Sequence, residues 1–168
     1  MQRLRKIISA ITFIGVIFHE FGHKLFCNLT GVKIIKVCYF RFGNPAGYVV
    51  HKRPKKFYKS FLISVGPFIS GVFFTLSFFE ISKSLASGLW QKYFFIWLGA
   101  SVAINSFPSS VDAKALWTAT NRHIRTNILA IIGYPFALLI WIANALRTVW
   151  FDVIYVVLLY FLIDLSVL

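Results

Sequence analysis

The sequence predicts an all-α polytopic membrane protein with about five transmembrane helices and a short β-hairpin between the first and second. Three observations carry this. First, the 168 residues are 58% hydrophobic and 14% charged, with a mean hydropathy of +0.75, whereas soluble domains run ~25% charged. A single domain of this size leaves too much surface exposed to hide such an apolar excess from water. Second, the apolar residues fall in runs approaching the ~20 positions that a membrane-crossing helix needs. Third, the stretch 32–51 breaks this pattern with β-branched and aromatic residues around a Gly-Asn-Pro-Ala-Gly turn, the signature of a two-stranded ribbon. With no internal repeat or low-complexity segment, residues 1–168 read as a single membrane-embedded domain.

The net charge of +13 comes from 18 basic and five acidic residues. The basic residues lie in loops between apolar runs, and no Lys/Arg stripe alternates with stacking aromatics on a soluble face. The expected partners are therefore anionic lipid head groups, and nucleic acid is not expected. Cys27 and Cys38 lie eleven positions apart without a CxxC pairing. They read as free thiols or small apolar residues and specify no compartment.

In chain order, Arg3, Arg5 and Lys6 precede the apolar stretch 7–18, an opening that resembles the first two regions of a signal peptide. No convincing small-x-small site precedes His19, and cleavage there would cut through or beside the next motif, so a retained first span over 7–29 is expected. Asn28-Leu29-Thr30-Gly31 supplies its stop. Inside this span lies His19-Glu20-Phe21-Gly22-His23. Positions i and i+4 share a helix face, so the two imidazoles project side by side and can chelate one zinc. A glutamate beside the first histidine can act as general base. The chain has only four His and five acidic residues, and three of those nine fall within these five positions of an apolar segment. Ionisable groups at membrane depth are costly and tend to be functional.

The ribbon at 32–51 reads equally as a peptide-binding edge or as an ordinary hairpin; the basic segment 52–56 follows. A second span is expected over 61–79, where Gly66, Ser70 and Gly71 allow close helix approach and Pro67 is tolerated if neighbours re-satisfy the backbone. The third, 92–107, ends in Asn105-Ser106-Phe107-Pro108-Ser109-Ser110-Val111-Asp112. Asp112 is a candidate third ligand or, alternatively, the N-cap of a helix starting near Ala113. His51 is a weaker rival ligand, and His123, between charged neighbours, reads as solvated. Residues 115–127 suggest a short interfacial helix or loop. A fourth span, 127–146, carries Pro135 as a kink and Asn144 as helix–helix glue. A fifth, 149–168, carries Asp152 and Asp164.

Five spans alternate the loops. Residues 32–59 and 108–127 together hold eleven basic residues against six on the other side. The positive-inside rule then puts loop 32–59 in the cytoplasm and the N-terminus outside. That topology brings His19, His23 and Asp112 to the same membrane depth, which favours Asp112 as the third ligand.

These features, in this order, resemble the site-2 protease family of intramembrane zinc metalloproteases. They are the His-Glu-x-x-His at 19–23, Gly47-Tyr48-Val49, Gly66-Pro67, and Asn105, Pro108 and Asp112. Ser-Ser-Val precedes Asp112 and Ala113 follows it, where the family usually has a second Pro and a Gly, so the chain looks like a minimal or divergent zincin-peptidase branch. The resemblance implies one zinc on His19, His23 and Asp112, with Glu20 as catalytic base and Asn105 holding substrate or the oxyanion. The implied activity is hydrolysis of transmembrane segments or membrane-bound peptides. The alternative is a non-catalytic zinc-bearing membrane scaffold that binds transmembrane helices.

Overall fold

The computed structural model describes residues 7–8 and 10–165. The basic opening at Arg3, Arg5 and Lys6, and the last three positions of the predicted fifth span, lie outside the described residues.

The chain is mostly helical with one two-stranded antiparallel hairpin. Helix α1 spans Phe13–Leu29, after a turn at Thr12 whose N–H and hydroxyl both bond Ile8 O, at 2.8 and 2.9 Å. Its stop is the predicted one. Gly31 adopts φ 65°, the left-handed conformation in which a side chain is disfavoured. From there Val32 N–H reaches Cys27 O at 2.8 Å and Gly31 N–H reaches Asn28 O at 3.0 Å, the paired bonds of a Schellman cap. Val32 then packs with Cys27 and Ile63.

Strands β1 (Ile34–Cys38) and β2 (Tyr48–His51) form the hairpin, with Val37 opposite Val49 and Cys38 opposite Tyr48. The hairpin rests on α1, and Lys24 Nζ donates to Tyr39 Oη at 2.9 Å. This gives the one lysine within the predicted first span a polar partner at the hairpin.

Helix α2 spans Phe57–Ser84, 28 residues or about 42 Å, well beyond the predicted 61–79. Both extensions have partners. Phe57 is buried against Ala113, Leu116 and Ala137, and Ser82 is buried at the far end. Lys83 donates to the Ile163 and Asp164 carbonyls. Helix α3 is Trp90–Ser106 and α4 is Ser110–His123, bent by 43° across the break at Pro108. A 3-10 turn at Ile128–Ile132 leads into α5, Gly133–Leu146. Pro135 therefore sits in the first turn of α5 rather than kinking a continuous span, at a position where a missing N–H is tolerated. After a second 3-10 turn and Trp150 in the left-handed region at φ 65°, α6 runs Phe151–Leu165.

Helices α1, α2 and α3 pack on one another, α4 pairs with α5, and α6 lies against α2 and α3. Glycines set the closeness of the first three. An added Cβ at Gly22 would lie 2.7 Å from Pro67 Cα, and one at Gly15 would run into Ser101 O. Among the described residues, Phe57–Ser84 and Ile128–Val149 are long and apolar enough to cross a membrane, and the bent α3–α4 pair raises the number to three. The described parts of α1 and α6, 17 residues after the turn at Thr12 and 15 after Trp150, hold fewer than the ~20 positions of a full crossing.

Candidate metal centre

His19 and His23 stand one turn apart on α1, ring centroids 5.0 Å apart. Each ring is held through Nδ1 by a backbone carbonyl from another helix: His19 by Asn105 O at 2.8 Å and His23 by Ile63 O at 2.9 Å. Both carbonyls are free for a chemical reason. The usual helical partner of Ile63 O is the N–H four residues on, and that residue is Pro67, which has none. The corresponding partner of Asn105 O is Ser109 N–H, and the break at Pro108 sends it instead to Asp112 Oδ2 at 2.7 Å. A carbonyl only accepts, so Nδ1 of each neutral imidazole carries the proton and Nε2 presents its lone pair. This is how proteins orient metal-ligating histidines.

Both Nε2 atoms face Asp112. Its Oδ1 is 3.2 Å from His23 Nε2 and its Oδ2 is 3.9 Å from His19 Nε2. Helix α4 begins at Ser110 with Ser109 as its N-cap, so Asp112 is not the cap of a helix starting near Ala113. It occupies the third helical position and reaches back in a capping box, where Ser109 N–H and Oγ–H both donate to Oδ2, at 2.7 and 2.6 Å. The cap is thus Ser109 and Asp112 braces it, with one oxygen anchoring the helix start while the other faces His23. Asn144 Nδ2 donates to Pro108 O at 2.9 Å, bracing the break from α5 as the glue expected of it.

One ligand atom from each of His19, His23 and Asp112 lies within 4.8 Å of the others, so the trio can hold a metal ion. Two imidazole nitrogens and a carboxylate oxygen suit a borderline divalent ion and leave a coordination position open.

A cavity of about 1030 Å³ opens onto the trio, lined also by Glu20, the 44–49 turn and α4. Glu20 is buried, yet among the described residues no hydrogen bond or ion pair engages its carboxylate. Gly47 closes over it: a Cβ there would lie 2.6 Å from Glu20 Cγ and 2.9 Å from Tyr39 O. The Asn105 amide points elsewhere, donating to Thr12 O at 3.1 Å, Thr12 Oγ1 at 3.3 Å and Ser101 O at 2.9 Å. His51 lines the cavity with Nδ1 bonded to Lys52 O, but it is not one of the three grouped ligands. His123 is half-buried rather than solvated and is likewise outside the group.

Sequence reasoning missed two contributors. Ser109, which fixes the carboxylate, carried a cap signal that was obscured by the neighbouring Ser110 and Asp112. Arg147, at the end of α5, lines the cavity and donates to Ile104 O at 3.2 Å while paired with buried Asp152 at 3.4 Å; nothing in the linear sequence links it to α3. No protein-family model, curated protein or solved structure matches the chain.

Proposed function

We propose that the chain is a membrane-embedded zinc endopeptidase that cuts transmembrane segments or membrane-bound peptides, as its resemblance to the site-2 protease family implies. The observation that carries this reading is the joint orientation of His19 and His23. Both Nδ1 atoms are committed to carbonyls and both Nε2 atoms are turned to Asp112, with the unengaged carboxylate of Glu20 on the same cavity.

His19, His23 and Asp112 would hold the zinc. Bound there, it supplies a Lewis acid that polarises a carbonyl and acidifies water. Glu20 accepts the proton of the attacking water on a carboxylate oxygen and delivers it to the leaving amine. Ser109 keeps Asp112 in place through both reactions. Gly47, without a side chain, lets the turn before β2 lie directly against Glu20, so that an extended substrate pairing along β2 would run beside the base. In this reading the shorter helices α1 and α6 cross as well, giving five spans, with 32–59 in the cytoplasm near anionic lipid head groups and the N-terminus outside.

The alternative, a non-catalytic scaffold binding transmembrane helices, draws support from the 3.2 Å His23–Asp112 contact, which becomes a closed ion pair without metal once His23 is protonated on both nitrogens. It leaves a buried, unengaged Glu20 without a role. The deciding experiment is Glu20→Gln in detergent-purified protein with a model transmembrane substrate. The proposal expects zinc retained and cleavage abolished; a fully active variant would overturn it.

A further inference from the structure

The cavity wall is electrostatically lopsided. Its carboxylates, Glu20 and Asp112, lie at the metal trio, whereas Arg53, Lys114 and Arg122 line the same cavity and are solvent-exposed. Lys114, Thr118 and Arg122 follow one another at four-residue spacing and all line it, so they form one face of α4. Arg53 joins them from the chain leaving β2. Among the described residues none of these three cations has an ion-pair partner: the only acidic groups on this wall are the two at the trio. Arg147 differs, being paired with Asp152. Three unpaired like charges around one opening repel one another and favour whatever neutralises them together.

We propose that Arg53, Lys114 and Arg122 form a subsite for an acidic peptide, so that preferred substrates carry Asp or Glu beside the apolar segment that is cut. The inference rests on the peptidase reading for what the cavity receives. Lipid head groups are the lesser fit. Eight further basic residues of 32–59 and 108–127 lie outside the cavity, among them Lys52, Lys55 and Lys56, and can serve a membrane surface, whereas these three open onto the trio.

The test measures binding separately from cleavage. In the Glu20→Gln background, in non-ionic detergent, a dye-labelled peptide with an Asp-Glu run beside an apolar stretch is titrated against its Asn-Gln counterpart. The acidic peptide is expected to bind about tenfold tighter at low salt, three exposed ion pairs each contributing modestly. The preference is expected to vanish at 1 M salt, where screening shortens to about 3 Å. Arg53→Gln/Lys114→Gln/Arg122→Gln is expected to abolish the preference, and Lys52→Gln/Lys55→Gln to keep it. Equal binding of the two peptides, or a preference that survives the triple substitution, overturns the subsite. So does a preference for the acidic peptide that is lost once vesicles containing phosphatidylglycerol compete, with the triple substitution releasing the protein from those vesicles; this assigns the three residues to lipid. Cleavage of both peptides by the unsubstituted protein is scored in parallel. Acidic preference without cleavage keeps the subsite and refutes the peptidase reading, while cleavage without preference does the reverse.

Discussion

His23 Nδ1 donates to the carbonyl of Ile63 at 2.9 Å, and that carbonyl is available because Pro67, four residues on in α2, has no N–H to offer it. A residue that sequence logic treats as a tolerated helix defect thereby fixes the tautomer and direction of a candidate ligand on another helix. His19 and Asn105 repeat the device at the break before Pro108.

Pro67→Ala is therefore expected to weaken metal binding while leaving the fold as stable or more so. The restored N–H competes with His23 for Ile63 O, and loss of such an outer partner typically costs 10–100-fold in affinity. Removing an interior proline relieves the helix. Competition against a zinc-chelating dye and thermal unfolding in detergent read the two effects apart. Unchanged affinity would refute this positioning role.

Gly47→Ala probes the closure over Glu20. The new Cβ would sit 2.6 Å from Glu20 Cγ, so either the turn or the carboxylate must shift, and overpacking of this kind costs about 1–3 kcal/mol. Zinc content is expected to hold while kcat/KM falls about tenfold or more. Gly43→Ala is the control, because its Cβ would meet only Arg41 Nε at 3.7 Å. Equal effects from both substitutions would show that closeness to Glu20 is not the cause.

Asn105→Ala separates side chain from backbone. The amide ties α3 to Thr12 and caps its own Ser101 carbonyl, whereas His19 is held by the Asn105 carbonyl, which the substitution keeps. A loss of about 1–3 kcal/mol in stability, from buried partners left unpaired, is expected with zinc unchanged. A fall in kcat/KM with stability intact would instead favour the substrate or oxyanion role that the resemblance implies.

His19, Glu20 and His23 were legible in the sequence because they share one helix, where spacing alone determines which side chains adjoin. The stop at Gly31 was legible for the same local reason. Asp112 came into view only through a topology argument, since its closeness to His23 depends on how α4 leaves the Pro108 break. The role of Pro67 was hidden because Ile63 O finds its partner only where Gly22 lets α1 approach α2. The ends of α2 were set too short, as Phe57 and Ser82 owe their helical state to burial against other elements. Helix α4 is obscured because its polar, basic last turn, Arg122 and His123, resembles a loop in composition.

The account stands most directly on metal content. Elemental analysis of the detergent-purified protein should give one zinc per chain, a sharp fall in Asp112→Ala, and no change in His51→Ala, whose Nδ1 is engaged by Lys52 O. Zinc retained in Asp112→Ala but lost in His51→Ala would move the third ligand to the hairpin. Absence of zinc from the unsubstituted protein after reconstitution would contradict the metallopeptidase account at its centre.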